Sequence, residues 1–354
     1  MKRGVSIVLA LVLFLFAGAS HGMAARLRRG IDITGWFRFP ASRDPAALAA
    51  YLSDKALADL RAAGFDFVRL AIDPALAETQ RPVVIAAIRR IQRHGLTTIV
   101  SPHPSGWHLE TDRADRDRLR AFWQGLAPAL RSLDQDRTVP EVLNEPVFPG
   151  DPAGWAALQH LVLTDIRRAL PNATILLTGQ DWGSIGGLLA LIPEDDPNVL
   201  YSFHFYDPAE LTSLAAYRPN LDRTALATLP FPVQDPAQCG TGTADQPTRD
   251  LMQYYCALRW DGPGIAASIA RAAGWGRQHR VRLLAGEFGA SAALNQAARI
   301  AWLRTVRETL ESQDIGWALW GYDDIMGFAV PRPPPPEPHL DPAVLAALGL
   351  ATPP

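Results

Sequence analysis

Two glutamates, Glu145 and Glu287, stand where apolar runs of this chain end in polar, turn-prone segments. Glu145 lies in Leu143-Asn144-Glu145-Pro146, and Glu287 lies in Gly286-Glu287-Phe288-Gly289. A carboxylate at the end of a buried strand is costly to desolvate, so a protein that keeps two of them commonly uses them. Such a pair suits acid/base or nucleophilic catalysis. Each glutamate alone would equally suit an ordinary ion pair, so the interpretation depends on the elements that position the two.

Eight short apolar runs alternate with amphipathic stretches along the chain. The runs are rich in Val, Ile, Leu and Phe, and the stretches carry apolar residues at helical spacing. This alternation predicts an α/β fold, and eight repeats predict closure into a (β/α)8 TIM barrel. A doubly wound open sheet is the alternative, but its Gly-rich phosphate turn is absent from the sequence after the first strand. The predicted strands are 30–36, 65–72, 97–103, 139–145, 174–178, 199–206, 282–287 and 316–320.

Length and composition favour a single enzyme domain. Of the 354 residues, 48% are hydrophobic and 20% are charged, which is enough for a large core. The formal net charge is −2 with no basic block, which argues against nucleic acid and against an anionic membrane surface as partners. We therefore expect a monomer that acts on a neutral substrate.

The first residues have the three-part layout of an export signal. Lys2 and Arg3 precede an uncharged stretch from about Val5 to Ala17, and small residues follow it. The stretch is short for a membrane span, although an uncleaved anchor is the alternative. We predict a signal peptide over 1–24 and a catalytic domain over 25–354. Export to the periplasm or the medium follows, with no stable membrane association after cleavage.

A long segment, about 207–263, interrupts the alternation and is rich in Pro, Asp and Gln. Loops of this length in compact domains are commonly functional, so we predict a loop insertion after strand 6 that overhangs the site. It contains the only two cysteines, Cys239 and Cys256, and an oxidising compartment would allow them to form a disulfide. Two free thiols are the alternative, and a zinc site is disfavoured because no histidine lies near them in the sequence.

Reactive side chains of a barrel project from the carboxyl ends of its strands. Eight residues of this chain fall at predicted strand ends, and most of them can hydrogen-bond a sugar or a carboxylate. Glu141 has the same strand parity as Glu145 but lies deeper, so we expect it to be a structural residue inside the barrel. The eight are Arg69, His103, Asn144, Glu145, His204, Tyr206, Glu287 and Trp320.

The order of these residues resembles glycoside hydrolase family 5, the cellulase-type retaining glycosidases with a (β/α)8 fold. The resemblance covers residues 29–322. Asn-Glu-Pro alone would be a weak signal, whereas eight matches in order are specific. The segments that carry it are Phe67-Val68-Arg69, Ser101-Pro102-His103, Leu143-Asn144-Glu145-Pro146, His204-Phe205-Tyr206, Gly286-Glu287-Phe288-Gly289 and Leu319-Trp320.

The resemblance implies that Glu145 is the acid/base and Glu287 the nucleophile. Retaining hydrolysis needs one protonated carboxyl and one carboxylate about 5 to 5.5 Å apart. We expect Arg69 and Tyr206 to keep Glu287 ionised while Glu145 holds a proton.

The other residues are expected to bind the sugar. Asn144 would hold the 2-hydroxyl, His103 would bind another hydroxyl, and Trp320 would stack on a sugar ring. His204 and Tyr206 lie two residues apart and so share a strand face. No cofactor and no metal ion is expected, because organic side chains fill every role and no His/Cys/Asp cluster has zinc-site spacing.

These expectations describe a retaining hydrolase of β-glucan chains or oligosaccharides, of the endo-β-1,4-glucanase type. A β-glucan transglycosylase is one alternative, because a sugar can intercept the same covalent intermediate. A hydrolase of β-1,3-glucan, β-1,6-glucan or β-mannan is another. A non-catalytic glycan-binding protein is a third, although both carboxyls are present. The loops that select the linkage carry no readable signature.

Overall fold

The computed structural model describes residues 27–239 and 245–354. Eight parallel strands alternate with helices and form the barrel that the alternation predicts. The predicted signal peptide lies outside the described residues. The strands are β1 Arg29–Phe37, β2 Phe67–Ile72, β3 Thr97–Pro102, β4 Thr138–Pro140, β5 Ile175–Thr178, β6 Val199–Phe205, β7 Leu283–Phe288 and β8 Gly316–Leu319.

The strands pair in parallel in the order β4-β3-β2-β1-β8-β7-β6-β5. Between β4 and β5 the barrel is closed by one isolated bridge, Glu141 with Leu176. β4 is shorter than the predicted strand 139–145, although hydrogen bonds to both neighbouring strands continue for two residues after Pro140. Glu141 N donates to Val100 O of β3, and Val142 N donates to Leu176 O of β5.

Helices cover the outside of the barrel, and their ends are set by local caps. Ser53, for example, accepts from Ala56 N at the start of α2, and Gly64 ends that helix with a φ of 112°. No helix in the described ranges is both long and apolar enough to cross a membrane. The helices are α1 Pro45–Ala50, α2 Asp54–Ala63, α3 Pro74–Thr79, α4 Arg81–Arg93, α5 Arg113–Leu130, α6 Pro152–Ala169, α7 Ile185–Leu189, α8 Ala209–Thr212, α9 Arg223–Leu226, α10 Gln246–Ala257, α11 Gly262–His279, α12 Gln296–Ser312 and α13 Pro342–Ala347.

An apolar layer fills the amino end of the barrel. Phe67 on β2 belongs to it and shares a strand face with Arg69, two residues further on. A Cβ at Gly30 would lie 2.1 Å from the Phe67 ring, so only glycine leaves room for that ring. The apolar plug leaves the carboxyl end of the barrel for polar side chains. Its members are Leu27, Phe67, Ile99, Val139, Leu176, Leu200, Leu284 and Ala318.

The insertion after β6 is partly helical, which differs from the predicted loop. It contains α8, α9 and α10, and its Cys239–Cys256 disulfide confirms the predicted pairing. Asp245 caps the start of α10, because its side chain accepts from Thr248 N, and this cap offsets the weak helix propensity of a Pro-rich segment. The insertion packs on the chain after β7, where Ser291 N donates to Thr212 O at 2.7 Å.

Candidate active site

Arg69 is fully buried at the centre of the polar end of the barrel. Its charge is shared by three carboxylates, so none of its strongest hydrogen bonds is left for solvent. Such an arrangement fixes the relative positions of the groups that surround it. The guanidinium donates to Glu141 at 2.7 and 2.9 Å, to Asp32 at 2.9 Å, to Glu287 at 2.7 Å and to Oδ1 of Asn144 at 2.7 Å.

Sequence reasoning missed Asp32, although a signal for it exists. It is a lone acid in the apolar segment Ile31-Asp32-Ile33 on β1, and it pairs in register with Arg69 on β2. Burial raises the pKa of Asp32 well above its usual range, against the opposing charge of Arg69. Glu141 is buried as expected of a structural residue, and it holds Arg69 from the opposite side.

Glu287 is held by two donors at the end of β7. Arg69 donates to its Oε1, and the Tyr206 hydroxyl donates to its Oε2 at 2.9 Å. His204 lies between the two candidate catalytic carboxyls: its Nδ1 is 3.0 Å from Oε1 of Glu145 and 3.4 Å from Oε2 of Glu287. One oxygen of each glutamate and a ring nitrogen of His204 lie within 4.8 Å of one another. The structure therefore brings the two carboxyls together around one imidazole.

Glu145 has a backbone φ of 42°, in a region that residues other than glycine rarely adopt. Hydrogen bonds on both sides hold this conformation. Asn144 N donates to Pro102 O at 3.1 Å before it, and Trp182 N donates to Pro146 O at 3.3 Å after it. Strain of this kind is found where the surroundings over-determine a functional side chain. Here it orients the Glu145 carboxyl, which no sequence pattern predicted.

Burial acts to raise the pKa of both carboxyls, but the outcome differs between them. For Glu145, the hydrogen bond and charge of His204 outweigh burial and hold the pKa below its usual value. For Glu287, burial outweighs the charges of His204 and Arg69 and raises the pKa. Burial acts to lower the pKa of His204, but the two carboxylates act more strongly in the opposite direction. The net effect is a raised pKa. The pKa of Glu145 is thus shifted down and that of Glu287 up, which is opposite to the expected directions, because His204 faces Glu145 most closely.

His103 and Trp320 form the neighbouring wall. Their rings stack with centroids 5.8 Å apart, and Nε2 of His103 lies 3.0 Å from the Ser101 hydroxyl. Burial, with the charge of Arg38, holds the pKa of His103 well below its usual range, so the ring is neutral. Its Nδ1 has no hydrogen-bond partner within the described ranges. That atom is therefore a buried polar atom of the site wall without a partner among the described residues.

A cavity of about 210 Å³ opens beside Glu145. His103 and Asn144 lie in its wall, and Trp107 and Trp182 extend it outward. Of the described insertion residues none lines this cavity, so the predicted overhang is displaced toward β7. A larger cavity of about 820 Å³ lies at the amino end of the barrel, next to Gly316, and is remote from the carboxyl pair.

Glu145, His204 and Glu287 form a set of donors that could hold a divalent cation. Sequence spacing did not indicate this set, because its members come from three different strands. Arg69 disfavours a bound cation at this position. Its guanidinium donates to Oε1 of Glu287 at 2.7 Å, and its positive charge would repel the cation. The arrangement suits proton transfer and nucleophilic attack.

Comparison with known proteins connects this site to a family. The family model "Cellulase (glycosyl hydrolase family 5)" matches residues 34–324. Endoglucanase C of Acetivibrio thermocellus is 23% identical over 314 residues, covering 83% of this chain and 91% of that protein. Endoglucanase 3 of Fibrobacter succinogenes is 24% identical over 330 residues, covering 84% of this chain and 49% of that protein.

Solved structures share the fold. Thermotoga maritima Cel5A in complex with mannotriose has a TM-score of 0.72 and 20% identity, covering 91% of this chain and 97% of that one. A Bacteroides ovatus xyloglucanase with a bound heptasaccharide has a TM-score of 0.69 and 16% identity, covering 91% and 74% of the two chains. The region matched by the family model contains all eight predicted site residues. The chain is therefore a glycoside hydrolase that belongs to glycosyl hydrolase family 5.

Proposed function

We propose that this protein is an endo-acting β-glucan hydrolase that retains the configuration of the anomeric carbon. The observation that supports this proposal most directly is the short distance between Glu145 and Glu287. One carboxylate oxygen of Glu145 lies within 4.8 Å of one carboxylate oxygen of Glu287. A retaining pair is about 5 to 5.5 Å apart, whereas an inverting pair needs about 6.5 to 9.5 Å to admit a water. The endoglucanases among the relatives support a β-glucan as the substrate.

In the first step a carboxylate oxygen of Glu287 bonds to the anomeric carbon while the bond to the leaving oxygen breaks. Glu145 gives its proton to that oxygen. Arg69 and Tyr206 orient the nucleophile through their bonds to its two oxygens. In the second step Glu145 takes a proton from water, the water oxygen attacks the anomeric carbon, and Glu287 is released.

The proton for the first step is held between His204 and Glu145. Nδ1 of His204 lies 3.0 Å from Oε1 of Glu145, and Nε2 has no hydrogen-bond partner in the described part of the chain. The pKa of His204 is raised and that of Glu145 is lowered, so the imidazole is the stronger base of the two and can hold the proton before the first step. It passes to Oε1 of Glu145 as charge develops on the leaving oxygen.

Substrate binding uses the atoms that the site leaves free. Oδ1 of Asn144 accepts a hydrogen bond from Arg69. The amide nitrogen of Asn144 can then donate to the 2-hydroxyl. Trp320 supplies an apolar ring face at the cleavage point. Trp182 is 59% exposed next to Glu145, which suits a platform for the leaving sugar. All of these roles belong to organic side chains, and we propose that no metal ion or cofactor takes part.

Product mapping tests this function. The protein is incubated with defined β-1,4-, β-1,3- and β-1,6-gluco-oligosaccharides and β-manno-oligosaccharides, and early products are followed by proton NMR. We expect internal cleavage of β-1,4-glucan with a β-configured first product. An α-configured first product would refute retention. Cleavage of the β-manno-oligosaccharides would favour the alternative of a β-mannan hydrolase. Products longer than the substrate at high oligosaccharide concentration would reveal transglycosylation.

We also propose that residues 1–24 are removed on export and that the remaining chain acts as a monomer in the periplasm or the medium. The Cys239–Cys256 disulfide supports an oxidising compartment. Amino-terminal sequencing of protein recovered from cells and medium tests cleavage. Light scattering after size exclusion tests the oligomeric state.

A further inference from the structure

Arg38 lies one residue past β1 in the wall of the cavity that contains Glu145. Its guanidinium is 4.6 Å from the Phe39 ring centroid and 5.5 Å from the Trp320 ring centroid. No carboxylate of the described ranges lies within salt-bridge distance of it, and no side-chain hydrogen bond of Arg38 is present there. This guanidinium is half-buried in the cleft, where aromatic rings pack against it, and the carboxylates of Glu287, Glu145 and Asp324 act on it only through longer-range attraction.

The nearby acids are engaged elsewhere. Asp324 is paired with Arg332 at 3.6 Å, and Glu145 is bonded to His204. Glu110 lines the same cavity and lies 3.7 Å from His108. The other arginine of the site, Arg69, differs from Arg38 because three carboxylates share its charge. Among the described residues of the cleft, Arg38 is thus the arginine without a direct carboxylate contact, and its hydrogen-bond donors remain for a ligand.

An unpaired cation is unfavourable in a site of this chemistry. The transition state of glycoside hydrolysis develops positive charge on the sugar ring. A guanidinium packed on Trp320 would repel that charge, and the repulsion is stronger where water is excluded. Burial lowers the pKa of Arg38, which reflects the same loss of hydration. A negative group on the substrate would remove this penalty, whereas a neutral glucan would not.

We propose that Arg38 forms a subsite for an acidic sugar, with its guanidinium binding the carboxylate of a ring held on the Trp320 side of the cleavage point. Its planar fork matches a carboxylate with two parallel hydrogen bonds, and the packed rings hold the fork in place. The inference rests on the proposed function and narrows its substrate to β-glucan that carries carboxyl groups, such as uronic acid residues. It differs from the neutral substrate that the net charge suggested.

Two matched substrates test the proposal: cellotetraose, and cellotetraose oxidised to a carboxylate at C6 of one internal ring. The readout is the ratio of kcat/KM for the acidic substrate over the neutral one. We expect wild type to prefer the acidic substrate by about tenfold or more, the scale of a charged hydrogen-bonded pair. Arg38→Gln abolishes the preference, Arg38→Lys keeps part of it, and added salt weakens it.

Arg113→Gln is the matched control, because it removes a positive charge that is exposed outside the cavity. It should keep the wild-type ratio. Calorimetry of the carboxylated and neutral oligosaccharides adds a binding readout that needs no turnover. Equal ratios in wild type and Arg38→Gln, by kinetics and by calorimetry, would overturn the subsite while neutral cellotetraose cleavage still supports the proposed function. No cleavage of either substrate would refute the proposed function, and the calorimetric preference would still decide the subsite.

Discussion

At the scale of single residues, two basic side chains, Arg69 and His204, interact with four carboxyl groups in the site. Arg69 contacts Asp32, Glu141 and Glu287, and His204 contacts Glu145 and Glu287. Each carboxyl therefore has a different environment, which lowers the pKa of Glu145 and raises that of Glu287.

The first prediction concerns the catalytic pair. Glu287→Ala and Glu145→Ala should each lower kcat/KM on β-glucan by several orders of magnitude, because each removes a chemical step. Azide should restore turnover of Glu287→Ala by acting as an external nucleophile. Glu308→Ala, at an exposed position of α12, is the control and should keep full activity. Near-wild-type rates in both active-site variants would show that the assignment is wrong.

The second prediction concerns pH. Glu287 must be ionised to attack, and its raised pKa places the acid limb of kcat/KM above the ordinary glutamate value of about 4.3. The pair of Glu145 and His204 must keep a proton, and the raised pKa of His204 places the basic limb above about 6.5. His204→Asn should move the basic limb to lower pH in the residual activity. An unmoved basic limb would contradict the proton store on His204.

At the scale of elements, the insertion packs against the outside of the barrel and shares its apolar core, since Leu229 and Tyr255 are buried in the same cluster as the barrel residues. Its hydrogen bonds reach the start of α12, where Asn295 Nδ2 donates to Leu229 O at 2.7 Å. The disulfide joins Cys239 to Cys256 on α10, 17 residues further along the chain. The bond therefore constrains the insertion, while the barrel strands hold the catalytic residues.

The third prediction concerns the disulfide of the insertion. Serine at both cysteine positions should destabilise the insertion by about 3 kcal/mol in the chain-entropy model, without changing the circular dichroism of the barrel. Hydrogen exchange of α10 measures the effect. We expect unchanged KM for short oligosaccharides, because no described insertion residue lines the cavity at Glu145. Weaker binding is expected only for glucans long enough to extend beyond this cavity to the insertion. Free thiols in exported protein, seen by mass spectrometry of a non-reduced digest, would remove the premise.

At the scale of the whole molecule, the barrel is held by contacts between distant parts of the chain. α13 packs against α12, and Ala351 N donates to Ala63 O at the end of α2. Val344, Leu345 and Leu348 are almost completely buried in this region. The last segment therefore belongs to the same core as the strands that carry the site.

The fourth prediction concerns that segment. Deleting residues 342–354 should lower the free energy of unfolding by about 5 kcal/mol or more, since burial of each large aliphatic side chain contributes about 1.5 to 3 kcal/mol. That loss approaches the total stability of many domains. Urea unfolding followed by fluorescence measures it. Deleting only residues 352–354 is the control and should have little effect. Equal midpoints for both deletions would contradict the role of α13.

Several features were predictable from local pattern alone. All eight strands were predicted, most within two residues of their ends, because apolar runs and helical spacing follow directly from burial. The family was also predicted, since motifs such as Leu143-Asn144-Glu145-Pro146 lie at predicted strand ends, and the match over 34–324 confirms it. The helix α10 was missed, because a cap at Asp245 outweighed composition.

The sequence by itself determined the fold class, the order of the strands along the chain and the candidate residues at their ends, because alternation and motif spacing are local properties. Only the tertiary structure decided that Asp32 joins Glu141 and Glu287 around Arg69 and that His204 lies closest to Glu145. It also decided that no carboxylate of residues 27–239 and 245–354 lies within salt-bridge distance of Arg38. The reason is physical: burial and the distances between charges set these properties, and both depend on strands that are far apart in the chain.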